Sequence, residues 1–136
     1  MQATGVWKLY ASGTSTVEAV RGVDVTLKVG EMVAIMGPSG CGKTTLLNVL
    51  SGIDVPSAGE VFVDGKPLFG VSDNERTTMR SNYLGFIFQD FNLLPVLSAV
   101  ENVELPLLLL GVAASEARKR ACLLYTSDAA DEEDSV

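Results

Sequence analysis

Histidine is missing from all 136 residues. That removes the Ser-His-Asp triad, the histidine general base and the zinc site of the usual kind. Cysteine is nearly as scarce. Cys41 and Cys122 are the only two, too few for a disulfide framework or a metal centre. Long apolar runs are absent too. The longest, Leu105 to Leu110 followed by Val112 to Ala114, is too short to span a bilayer and stands close behind Glu101 and Glu104. Met1 to Tyr10 has neither the basic start nor the apolar run of a signal peptide. A cytoplasmic protein is expected. Excess basic charge is lacking as well, and the net charge of −7 overstates the opposite sign. Residues 122 to 136 hold five of the 17 acidic residues and none of the 10 basic ones, so the remainder stands at 12 against 10. A nearly neutral body gives no electrostatic case for a nucleic-acid partner.

What is present reads as one compact domain without internal repeats. Val6 to Tyr10, Val17 to Arg21 and Val23 to Val29 have the look of short strands with polar residues alternating, and Gly13 with its Ser and Thr neighbours supplies a turn. Met32 to Met36 is apolar throughout, as expected of a strand buried on both faces of a parallel sheet. Lys43 to Leu50 reads as a helix that Gly52 ends. Glu60 to Val63 is a strand, with Asp64-Gly65 as a hairpin turn into Lys66 to Phe69. Ser72 with Glu75, and Ser98 with Glu101, have the spacing of capping boxes and should open helices, the second kinked by Pro106. Leu84 to Phe88 is a second apolar strand ending at Gln89, and a last helix starts at Ser115.

The chemistry concentrates between the first apolar strand and the first helix. Gly37-Pro38-Ser39-Gly40-Cys41-Gly42-Lys43-Thr44-Thr45 fits the pattern G-x-x-x-x-G-K-[ST]. Polyphosphate presents dense negative charge, and backbone N–H groups meet it only where the chain wraps closely around it. Glycine permits the conformations this needs. The helix that follows aims its dipole and free N–H groups at the same anion. Lys43 is expected to reach the β- and γ-phosphates of ATP, and the Thr44 hydroxyl to sit on Mg²⁺. Cys41 occupies a free position of the motif. It is read as a passive loop residue rather than a reactive thiol, but one whose alkylation should block ATP.

Beyond the loop, Gly85-Phe86-Ile87-Phe88-Gln89, Asn92-Leu93-Leu94-Pro95 and Glu101-Asn102-Val103 stand in order behind Gly37 to Thr45. Together they resemble the ATP-binding subunits of ABC transporters. Ala19 to Val23 and Val103 to Leu107 resemble the branch serving lipoprotein release and macrolide-type export. The resemblance covers Val6 to about Ala121. It implies an α/β fold, the P-loop NTPase fold of the ABC ATPase type, truncated, with an N-terminal antiparallel β-subdomain. It implies that Tyr10 stacks on adenine, against the reading of Tyr10 as a packed strand aromatic. Trp7 and Phe69 keep a core reading. Gln89 matches the glutamine that touches Mg²⁺ and the attacking water, against a surface loop residue. Phe91 to Leu97 match the surface that receives a membrane permease subunit or fused transmembrane domain, with core packing as the competing reading. A homodimer of ATP-binding domains on the inner face of the cell membrane is also implied.

The chain departs from that family at the parts needed for hydrolysis. No apolar strand ending in Asp and Glu, no Ser-Gly-Gly-Gln-type segment and no switch histidine follow Ala121. Val61-Phe62-Val63-Asp64 superficially fits the first of these but leads into Gly65-Lys66, as a hairpin would. Residues 1 to 121 therefore read as the N-terminal part of the domain. Residues 122 to 132, Cys-Leu-Leu-Tyr-Thr-Ser-Asp-Ala-Ala-Asp-Glu, resemble a translated adapter of transposase-made sequencing libraries, and 122 to 136 is expected not to be natural protein. Three functions remain open: the ATPase subunit of a transporter, a fragment that binds nucleotide without hydrolysing it, and a cell-division-type ATPase of the same family. A small-molecule kinase would need a basic lid, for which Arg76 and Arg80 are the nearby residues.

Overall fold

A computed structural model describes residues 1–88 and 92–133, with side chains as far as Leu124. The chain divides into two units, Met1–Gly85 and Phe86–Val136.

In the first unit a long hairpin is formed by β1 (Gln2–Ser12) and β2 (Ser15–Thr26), closed at Gly13-Thr14. The two strands expected at Val17 to Arg21 and Val23 to Val29 are thus one, joined through Gly22 and ending at Thr26. β3 (Ala58–Val63) pairs with the other edge of β1, and β4 (Lys66–Pro67) extends β3, giving the antiparallel order β2-β1-β3-β4. The β3–β4 turn is the expected hairpin: Asp64 and Gly65 both take positive φ, 51° and 72°. Register slips punctuate β1. Near Gly5, at φ 57°, the strand gains a residue on its partner, and this brings Ala3 and Val6 to the same face despite their odd spacing.

That face carries the core. Ala3, Val6, Val20, Val61 and Val63 from the sheet close over Val49 and Leu50 of α1 (Lys43–Leu50) and over Leu68. Each buried Val or Leu contributes about 1.5–3 kcal/mol. α2 (Asp73–Tyr83) opens with the expected box, the Glu75 N–H donating to Ser72 Oγ and Ser72 N–H to the Glu75 carboxylate. Phe69 packs against the core, but Trp7 is 38% exposed, a correction to its core reading. Its position explains this: Trp7 pairs with Ala58, the first residue of β3, and its ring lies against Gly22 of β2, which has no side chain to cover it.

The second unit is a helical hairpin. α3 (Ala99–Leu109) begins with the Ser98–Glu101 box and contains Pro106 within its span. A turn at Gly111 leads to α4 (Ala114–Glu133), and the small side chains of Ala117 and Ala121 are fully buried, as a close helix–helix approach requires.

Two sequence expectations fail. Neither Met32 to Met36 nor Leu84 to Phe88 is a strand. Met32 is 97% exposed and Ile87 103%. A parallel strand exists only through hydrogen bonds to neighbours on either side, and among the described residues no strand lies beside either segment. The expected burial is therefore not met: both segments are largely exposed, and among the described residues no parallel sheet forms to cover them.

Candidate nucleotide site

Gly42 is the hinge of the site. It is the N-cap of α1 in the left-handed conformation, φ 89°, and no side chain caps the helix. A Cβ at Gly42 would run into the Ala19 carbonyl oxygen of β2, so only glycine lets the loop pass the sheet and turn into the helix. The first intrahelical bond, Leu46 N–H to the Gly42 carbonyl, is 2.8 Å. The N–H groups of the turn before it have no partner within the helix, which is what an anion needs.

The loop closes around its own lysine. Lys43 Nζ donates to the Gly37 and Pro38 carbonyls at 2.8 and 2.7 Å and lies 3.6 Å from Cys41 Sγ. Cys41 is exposed and forms no disulfide. At Gly37 a Cβ would come 2.7 Å from that sulfur, so a side chain there would fill the ring. Gly40, Gly42, Lys43, Thr44 and Thr45 line a cleft of about 890 Å³ together with Ser39, Cys41 and β2 residues 17 to 21. The donor set fits a polyphosphate with a hard cation: backbone N–H groups, one ammonium, and the Thr44 hydroxyl.

Tyr10 is 39% exposed near the end of β1. Its hydroxyl donates to Asp54 Oδ2 at 2.7 Å. The Asp54 hydrogen bond, and after it burial, raise the Tyr10 hydroxyl pKa, while the Thr45 side chain opposes them. Burial acts to raise the Asp54 pKa, but the hydrogen bonds from Lys8, Tyr10 and the Val55 N–H outweigh it, and the carboxyl ends below its ordinary range. Lys8 and Asp54 were not singled out by sequence reasoning. They lie 46 residues apart and meet only because β1 runs beside the turn after α1.

Gln89 and Phe91 lie outside the described residues, as does Asp90 between them. Of the segment expected to meet a permease, Leu93, Leu94 and Val96 are exposed. One side chain shapes it. Asn102 of α3 accepts from the Leu94 N–H at 2.7 Å and donates to the carbonyls of Leu94, Leu97 and Ser98. An asparagine in the first turn after a capping box was the available signal.

Comparison with known proteins settles the family. The model of the family described as ABC transporter matches residues 20–135. The chain belongs to the ABC transporter family. It is 46% identical over 121 residues to an uncharacterized ABC transporter ATP-binding protein of Methanocaldococcus jannaschii, matching 89% of this chain and 54% of that protein. It is 44% identical over 121 residues to the lipoprotein-releasing system ATP-binding protein LolD of Saccharophagus degradans, with 89% and 53% covered. Among solved structures it resembles an ATP-binding cassette, also of M. jannaschii, in a dimeric post-hydrolysis state bound to ADP and Pi. The TM-score is 0.83 at 43% identity, over 89% of this chain and 53% of that one. The ABC chain thus spans about half the length of the relatives it matches. No helix among its described residues is long and apolar enough to cross a membrane.

Proposed function

We propose that this ABC chain cradles ATP and Mg²⁺ as part of an ATP-binding subunit that powers a membrane permease. One observation carries the reading: the uncapped start of α1 and the Lys43 ammonium converge on one glycine-bounded loop. Backbone N–H groups of the loop from Gly37 to Thr45, all but Pro38, hold the phosphates, Lys43 neutralises the β- and γ-phosphates, Thr44 offers its hydroxyl to Mg²⁺, and Tyr10 receives adenine. When bound, Mg²⁺ draws charge from the phosphate oxygens. Gln89 completes the site toward water and the metal. The dimeric cassette that this chain resembles supports a homodimer of such domains. Exposed Leu93, Leu94 and Val96 support a permease, or a fused transmembrane domain, as the partner at the segment 91 to 97 on the inner face of the cell membrane. Ala19 to Val23, Val103 to Leu107 and the lipoprotein-releasing relatives support lipoprotein release or export as the work done.

Calorimetric titration of the 136-residue chain with ATP in the presence of Mg²⁺ tests this. Lys43→Ala should weaken binding by about 10- to 150-fold, the range for losing a hydrogen bond to a charged group. Unchanged affinity would end the proposal.

A further inference from the structure

Tyr10 does not stand alone on its strand. Its hydroxyl reaches Asp54 Oδ2 at 2.7 Å, and Lys8 Nζ reaches Asp54 Oδ1 at 2.6 Å and the Val55 carbonyl at 2.7 Å. The same ammonium stands 4.9 Å from the centre of the Tyr10 ring. Asp54 is itself fixed, because its N–H donates to the Asn48 carbonyl at the end of α1 and the Val55 N–H donates to its carboxylate. The ion pair is sheltered, with the Lys8 side chain 12% and that of Asp54 29% exposed. A ring on an exposed strand would otherwise rotate about two bonds, and stopping it costs binding free energy when a ligand lands. Here the hydroxyl is tethered at one end and the ammonium covers one face, so a flat ligand meets a ring already stopped, on the opposite face.

We propose that Asp54, with Lys8, positions Tyr10 for adenine, so that the two ends of α1 set the two ends of the nucleotide. This rests on the reading of Tyr10 as the adenine platform. The helix start faces phosphate. The turn after the helix sets the ring.

The test compares ATP with inorganic tripolyphosphate, which has no base, by calorimetry on the 136-residue chain. Tyr10→Ala should weaken ATP by roughly 5- to 150-fold, the worth of one base–aromatic stack, and leave tripolyphosphate unchanged. Asp54→Ala should weaken ATP about 2- to 10-fold, the cost of immobilising one side chain, again sparing tripolyphosphate. Added to Tyr10→Ala it should do nothing more. Tyr10→Phe, which keeps the ring and loses the tether, should reproduce Asp54→Ala and not add to it, and it serves if Asp54→Ala fails to fold. If Tyr10→Ala leaves ATP affinity unchanged, or the unaltered chain binds no ATP, the adenine reading falls and this inference with it. If Tyr10→Ala weakens ATP as expected, three results overturn the positioning role alone. They are an Asp54→Ala or Tyr10→Phe without effect, an Asp54→Ala that weakens ATP as much with Tyr10 absent, and an equal loss for tripolyphosphate.

Discussion

Lys43 is held by two neutral carbonyls, and any anion entering the loop has to draw the ammonium away from them. A multiply charged phosphate can, because it adds Coulomb attraction between full charges that a neutral carbonyl lacks. The rearrangement takes place 3.6 Å from the Cys41 sulfur, which makes that thiol a reporter. ATP bound in the loop should slow alkylation of Cys41, and prior alkylation should block ATP. Labelling rates that are the same with and without nucleotide would contradict the site. Thr44 makes a separate claim, since only its hydroxyl is offered to the metal. Thr44→Ala should abolish the strengthening of ATP binding by Mg²⁺ while metal-free binding persists, and Thr44→Ser should restore it. The ratio of dissociation constants with and without Mg²⁺ measures this. Lys43 was singled out by a local pattern and Tyr10 by the family resemblance. Asp54 and Lys8 were not, because their meaning appears only when residues 46 apart in sequence come within 2.6 Å.

The helices were the most legible elements, and the reason is local chemistry. Ser72 and Ser98 each accept from an N–H three residues on, and Glu75 and Glu101 each answer with a carboxylate. In both glutamates the serine hydroxyl, and then the serine N–H, hold the carboxyl pKa below its ordinary value. A carboxyl whose pKa is lower folded than unfolded stabilises the fold while ionised, above the unfolded pKa, and loses that contribution as pH falls through the folded one. Acidification from neutral pH into the carboxylate range should therefore fray the first turns of α2 and α3. Circular dichroism of the double variant Glu75→Gln, Glu101→Gln should show a smaller acid-induced loss of helix than the unaltered chain. An identical loss would mean the boxes contribute nothing. The β1–β2 hairpin was legible in part, since alternation marks strands but not the slip near Gly5 that changes which residues face the core. Met32 to Met36 and Leu84 to Phe88 were misread as formed strands because composition reports what a segment must bury and is silent on whether a neighbouring strand exists. Asn102 carries an element on one side chain. Asn102→Ala should speed amide exchange over residues 94 to 98 and leave α3 itself protected.

At the scale of the molecule, the uncapped start of α1 and the Lys43 ammonium support holding a nucleotide. The sequence contains the loop, Thr44 and Gln89, but no Glu following an apolar strand to polarise water. The 136-residue chain is expected to bind ATP and to release no phosphate. Turnover that disappears in Lys43→Ala would prove this wrong. Residues 122 to 136 fall almost wholly within the family match, which runs to residue 135, but we propose that they are dispensable for holding the nucleotide. The buried positions of α4 within its described side chains are Ala117 and Ala121, and Leu123 and Leu124 beyond them are exposed. Deleting 122 to 136 should leave nucleotide affinity unchanged. The last consequence concerns surface. Met32, Met36, Ile87 and Val96 each lie almost wholly in solvent, where exposed apolar side chains in extended segments invite pairing with other chains. The ABC chain should bind a hydrophobic dye and self-associate with rising concentration. Charging two of these positions, Met32→Lys and Ile87→Lys, should reduce both effects. The same variant should keep its tripolyphosphate affinity, because neither side chain lines the cleft at the phosphate loop. Unfolding of the chain by these substitutions would contradict the exposure of both segments.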